Sequence, residues 1–134
     1  MILVDAGPLV ALLDRDDQHH AACAEAFKTI DEPLATVWPA FTEAMYLLHD
    51  APNGPERLWD FAEEVRITFL QVAEHDNQRI RELMQKYNDR QMDLADATLV
   101  CVAEREGLDQ IFTVERTDFT VYRLNGHQRF QIIP

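Results

Sequence analysis

Carboxylates stand alone in apolar surroundings at four places along this chain, and any chemistry it performs would come from them. Asp5 is the sole charged side chain from Met1 to Leu13, between the apolar run Met1–Val4 and an apolar stretch, Leu9–Leu13. Glu43 is the sole ionised side chain from Pro33 to His49. Asp93 and Asp96 are the only charges from Gln91 to Ala103, and Glu115 and Asp118 follow directly on the run Gln110–Val114. A carboxylate beside a core is costly to desolvate unless something pairs with it. If the four places converge, two unit charges ~5 Å apart repel by about 3 kcal/mol at an effective dielectric near ~20. Either some of the acids protonate or a hard divalent cation sits among them. Oxygen donors without clustered His or Cys point to Mg²⁺ or Mn²⁺. Such a cation activates water and steadies the charge on a phosphate, which is metal-dependent phosphodiester hydrolysis.

Four of the acids also have a structural reading. Asp5 suits the cap of the helix that follows it. Glu43 fits a helix residue reaching solvent between bulky neighbours. Asp93 and Asp96 suit the positive end of a helix dipole. Phosphate contact would need cations, and Arg79, Arg81, Lys86 and Arg90 form the densest basic segment of an acidic chain, with Arg116 as a further basic candidate.

The elements that would position these groups alternate between strand and helix. Met1–Val4 reads as a short buried strand, Gly7-Pro8 as a turn and Leu9–Leu13 as helix. Ala21–Ile30 is helical by composition, and Leu34–Val37 is a second strand. Trp38–His49 is a helix that tolerates Pro39 in its first turn. A loop at Asp50–Pro55 precedes a helix at Glu56–Glu64, and Arg66–Val72 fits a third strand. Asn77–Tyr87 is an amphipathic helix with Ile80, Leu83, Met84 and Tyr87 on its buried stripe. Asp93 suits the N-cap or first turn of the next helix, which Gly107 closes. Gln110–Val114 and Phe130–Ile133 supply the last strands. The expected architecture is a three-layer α/β/α sandwich on a central parallel sheet of about five strands, formed by one domain spanning residues 1–134. In such sheets, carboxyl ends of strands are where ligands bind.

Composition removes several classes. A net charge of −12 argues against coating nucleic acid by bulk electrostatics, though it leaves room for an enzyme that acts on one. Cys23 and Cys101 lack the paired spacing of a zinc site. No apolar run approaches the ~20 residues of a membrane span, and no secretory leader is legible, so a cytoplasmic protein without membrane contact is expected. Dinucleotide, nucleoside-triphosphate and serine-hydrolase motifs are all missing.

Four segments taken in order resemble a family: Ile2-Leu-Val-Asp-Ala-Gly-Pro-Leu9, Thr42-Glu43-Ala44, Met92-Asp-Leu-Ala-Asp-Ala97 and Ile111-Phe-Thr-Val-Glu-Arg-Thr-Asp-Phe119. The chain resembles a PIN domain, and closely the VapC-type toxins of bacterial toxin–antitoxin pairs. The resemblance implies that Asp5, Glu43 and Asp96 match the three acids of the metal site. It places the fourth at Glu115, where many relatives carry Asp; Asp118 then shares or replaces that role. Asp93 would be a supporting acid, and Thr113 would hydrogen-bond a carboxylate or a water on the metal. Glu43 is left as ligand or as base. It further implies Mg²⁺- or Mn²⁺-dependent cleavage of RNA, a small antitoxin partner and a homodimer. The alternative is a PIN-fold protein-interaction module with little or no nuclease activity.

Overall fold

The computed structural model describes residues 1–134. Its centre is a short, wholly buried strand, β1 (Ile2–Val4), with parallel neighbours on both sides. β2 (Leu34–Thr36) pairs with one edge of β1, and β4 (Gln110–Phe112) with the other. β3 (Thr68–Phe69) and β7 (Gln131–Ile133) complete a five-stranded parallel sheet in the order β3-β2-β1-β4-β7. The expected α/β/α sandwich on about five parallel strands is therefore found. Parallel pairing requires long crossovers, and helices supply them. α1 (Ala6–Leu13), α2 (His20–Thr29), α3 (Trp38–Leu47) and α4 (Gly54–Glu64) precede or follow the first three strands. α5 (Asn77–Lys86) and α6 (Leu94–Glu106) lead into β4, and the short α7 (Arg116–Val121) follows it.

Alternation along each strand divides the core between the two faces. Leu3, Ala35 and Ile111 join the cluster built on α5 and α6, with Leu83, Leu99, Val102 and Phe119. Ile2, Val4, Leu34 and Phe112 join the opposite cluster, with Leu9, Phe41, Leu48 and Leu58. A one-residue slip of β1 would exchange these faces, so its register is strongly determined.

After β1 the chain builds outward through β2 to β3, then returns to the other side of β1 for β4 and β7. The order reverses between β1 and β4, and a crevice opens at such a point beyond the carboxyl ends of the strands. The Asp5 amide donates to the Phe112 carbonyl at 3.0 Å, so the two strand ends are tied together where the crevice begins.

Local expectations differ from the structure most in three places, while smaller shifts start α4 at Gly54 rather than Glu56 and end β4 at Phe112 rather than Val114. Gly7-Pro8 is not a turn: α1 begins at Ala6, and both residues lie in its first turn. Amides there have no intrahelical acceptor, so the proline's missing N–H removes no helix bond. The third strand shrinks to Thr68–Phe69, because Arg66 takes a left-handed backbone (φ 56°) and the chain pairs only with Ala35 and Thr36. α7 and the antiparallel hairpin of β5 (Arg123–Leu124) and β6 (Gln128–Arg129) were not anticipated. Six residues are too few to show helical periodicity. The hairpin did carry a signal in Asn125-Gly126, both with positive φ at its tip. No helix is long and apolar enough to cross a membrane.

Gly54 opens α4 against the end of α3, and a Cβ there would lie 2.0 Å from the Leu48 carbonyl oxygen. Relief would have to come from backbone. Gly54→Ala should therefore destabilise the fold by about 1–3 kcal/mol, the usual range for overpacking. A urea titration followed by circular dichroism would show it as a lowered midpoint.

Candidate active site

The acids singled out along the sequence meet in one cleft of about 260 Å³ at the carboxyl edge of the sheet. Asp5, Glu43, Asp93, Asp96, Glu115 and Asp118 all line it, together with Ala6, Gly7, Leu47 and Gln91. Four elements deliver them, β1, α3, α6 and α7. Asp5 ends β1 and caps α1, Glu43 lies on α3, Asp93 caps α6 and Asp96 stands in its first turn. Glu115 precedes α7, which carries Asp118. For Asp5 and Asp93 the capping role and a place in the cleft hold together.

Asp5 is 4% exposed, and both of its oxygens are engaged. Oδ1 accepts from the Ala6 amide at 2.8 Å, and Oδ2 accepts from the Thr113 hydroxyl at 3.0 Å. The same hydroxyl oxygen accepts from the Glu115 amide at 3.0 Å. Thr113 thus joins the end of β4 to both acids. Gly7 makes the approach between the two strand ends physically available, since a Cβ there would come within 2.4 Å of Val114 Cγ2. Asp96 is held from two sides: its amide donates to Asp93 Oδ1 at 2.8 Å, and its Oδ2 accepts from the Tyr122 hydroxyl at 2.8 Å. Tyr122 is fully buried and packs edge-on against Tyr87 and Phe119.

No basic side chain pairs with Asp5, Glu43, Asp93, Asp96 or Glu115; only Asp118 has one, Arg90. The electrostatics follow. Burial raises Asp5 from an ordinary 3.8 to about 6, against the lowering effect of its hydrogen bonds from Ala6 and Thr113. Burial, then the charges of Asp5 and Asp93, raise Asp96 to about 8, although the Tyr122 hydrogen bond opposes them. Desolvation within the cleft, then Asp93 and Glu115, raise Glu43 as well, even though the residue as a whole is exposed on the rim. Burial and then Asp96 push the Tyr122 phenol upward, so it remains a hydrogen-bond donor.

The donor set is all oxygen, anionic and without basic partners save at Asp118, which fits a hard divalent cation. The acids share a cleft without being clamped together: no three Asp, Glu, His or Cys side chains form a ready-made metal-binding group.

The basic candidates disperse. Arg79 forks onto Glu104 with two hydrogen bonds of 2.8 Å. Lys86 lies over the Tyr87 ring, and Arg116 donates to the Pro134 carbonyl oxygen. Arg81 lines a separate, largely apolar groove of about 750 Å³. Arg90 alone reaches a cleft acid, donating from Nε to Asp118 Oδ1 at 3.2 Å. Two polar residues of the site escaped the sequence reading, Tyr122 behind Asp96 and Gln91 in the cleft wall. Tyr122 gave no signal there, being one aromatic among many. Gln91 holds a left-handed backbone (φ 55°), which its side chain does not advertise.

The crevice and its acids belong to a doubly wound, parallel α/β fold with an acidic cleft at the strand-order reversal. The family model for the PIN domain matches residues 2–122, and the chain belongs to that family. It is similar to Ribonuclease VapC26 of Mycobacterium tuberculosis (strain ATCC 25618 / H37Rv), with 25% identity over 143 residues, covering 99% of this chain and 100% of the relative. Among solved structures, Mycobacterium tuberculosis VapC20, titled a Sarcin-Ricin loop cleaving toxin, superposes with a TM-score of 0.77 at 16% identity, covering 88% of this chain and 94% of that one. A toxin–antitoxin complex from Klebsiella pneumoniae gives a TM-score of 0.67 at 18% identity, covering 90% and 92%. At these identities the two structures speak for the fold.

Raised carboxyl pKa values have a defined consequence for stability. The contributions of Asp5 and Asp96 are fully present below the unfolded value near 3.8 and are lost as pH rises through about 6 and about 8. In chelator, the protein should lose stability steadily from pH 4 to pH 8, by roughly 3 kcal/mol through Asp5 alone. Asp96→Asn should flatten the upper part of that profile and stabilise the fold at pH 8. Urea unfolding across this range reads both effects, and a wild-type profile flat from pH 4 to 8 would contradict them.

Proposed function

We propose that this chain is a metal-dependent endoribonuclease, the toxin of a toxin–antitoxin pair, hydrolysing RNA phosphodiester bonds at the acidic cleft. The observation that carries the reading is the convergence of Asp5, Glu43, Asp96 and Glu115 from four separate elements on one crevice, none of them paired with a base. Membership of the PIN family and the likeness to a protein named Ribonuclease VapC26 support it.

Asp5, Asp96 and Glu115 would hold the ion, Mg²⁺ or Mn²⁺. When bound, it supplies electrostatic stabilisation of the charge that develops on the phosphate and makes water a better nucleophile. The chain's own groups do the rest. Thr113 fixes the direction of the Asp5 carboxylate and the position of the Glu115 backbone. Tyr122 and the Asp93 cap orient Asp96. Glu43, whose proton affinity is raised, either takes the proton of the attacking water at its carboxylate or turns that carboxylate to the ion.

A small antitoxin and a second copy of this chain are the partners that accompany this reading, in the cytoplasm. The toxin–antitoxin complex among the structural neighbours supports the first. Exposed Trp38, Tyr46, Leu47 and Leu94 near the cleft, more apolar surface than scattered residues would give, support a face covered by protein.

Incubation of a tRNA and rRNA pool with the purified protein tests the activity. Discrete fragments are expected with Mn²⁺, none with chelator, and at least a hundredfold slower cleavage by Asp5→Asn and Asp96→Asn, about the loss expected when a group central to charge stabilisation goes. Intact RNA in every lane would favour the interaction module instead.

A further inference from the structure

An active cleft lined with carboxylates repels the polyanion it must bind, and the chain as a whole carries −12. Affinity for RNA therefore depends on cations placed at the rim, where the phosphate backbone passes. Arg79 and Arg116 are engaged elsewhere, and Lys86 lies over an aromatic ring. Arg90 is different. Its Nε bonds to Asp118, a cleft residue, while neither Nη1 nor Nη2 makes any hydrogen bond within the protein. Its side chain is 28% exposed and sits beside the cleft through Asp118, so the group is not sealed from solvent.

The base of this side chain is firmly held. The Arg90 amide donates to the Tyr87 carbonyl at 3.1 Å, and Tyr87 is buried against Tyr122. The next residue, Gln91, turns through its left-handed backbone to line the cleft. Arg90 thus stands on a fixed turn, with one carboxylate orienting its guanidinium. A planar fork held in place loses less freedom on gripping a phosphate than a mobile lysine would. The pairing also gives Asp118 a use distinct from that of the unpaired acids.

Resting on the ribonuclease reading above, we propose that Arg90 is the phosphate-binding residue of the cleft and that Asp118 is its positioning residue. Binding of a short, unstructured, fluorescently labelled RNA, followed by anisotropy over a salt series, tests it. The Asp5→Asn background keeps the RNA intact, and wild-type cleavage of the same RNA is followed alongside. Arg90→Ala should weaken binding roughly tenfold and reduce the slope of log K against log salt by about 0.7, one single-strand phosphate contact. Arg90→Lys should keep the slope while losing part of the affinity. Arg15→Ala, at the far end of α1 from Asp5, is the matched charge control and should leave the slope unchanged. Asp118→Asn should lower affinity when Arg90 is present relative to its effect when Arg90 is Ala, the coupling a positioning role requires. RNA cut by the wild type, with affinity and slope indifferent to Arg90→Ala, would overturn the assignment alone. RNA neither bound nor cut would sink the ribonuclease reading, and this assignment with it.

Discussion

Everything at the working edge of this protein depends on burying one acid, Asp5, at the end of the central strand without a base beside it. A carboxylate 4% exposed would normally give up its charge or find a cation. Here it finds two hydrogen-bond donors, the Ala6 amide and the Thr113 hydroxyl, and those hold the group while its proton affinity still rises. The hydrogen bonds also define the geometry of the crevice. Thr113 links β1 to β4 across the point where the strand order reverses, and its oxygen then sets the backbone of Glu115.

The same economy of means serves Asp96. One side of the carboxylate is addressed by a fully buried phenol, the other side of the residue by the cap that begins its helix. Tyr122 is locked by aromatic neighbours on α7 and at the end of α5, so the orientation of a cleft acid is transmitted from the hydrophobic core. Three layers of packing thus terminate in a handful of polar atoms. Large, fully buried side chains such as Phe112, Phe119 and Tyr122 stand next to the polar edge rather than away from it. Water is kept from the backs of the carboxylates, and their charges are felt more strongly than at an ordinary surface.

Clustering unpaired charge has a cost in stability, and the fold bears it at one edge of an otherwise conventional core. The sheet is parallel, its strands are short, and its two apolar clusters are continuous on either face. That robust interior lets the edge remain electrostatically strained. The basic side chains have been drawn into ion pairs elsewhere, Arg79 with Glu104 and Arg105 with Asp76.

Much of this was legible in the linear chain. Solitary acids at the ends of apolar runs, and the alternation of strand and helix, are local patterns whose spacing is dictated by burial, so four places, Asp5, Glu43, Asp93 with Asp96, and Glu115 with Asp118, could be nominated from the residues around them, while the choice within the last two pairs rested on the family resemblance. The cap at Asp93 and the helix end at Gly107 follow from equally local chemistry. What the order of residues did not show is which partners meet. The free edge of Arg90, the sequestration of Arg79 and Arg116, and the hold of Tyr122 on Asp96 are contacts between residues some 18 to 28 positions apart. They exist only once helices pack on the sheet. The sequence by itself determined most of the core, the longer elements and the inventory of charge, because hydrophobic periodicity and caps act over a few residues, whereas the six-residue α7 and the hairpin after it were too short to show. Tertiary structure alone decided which charges stay unpaired and face one another, because pairing depends on distance in space and not along the chain.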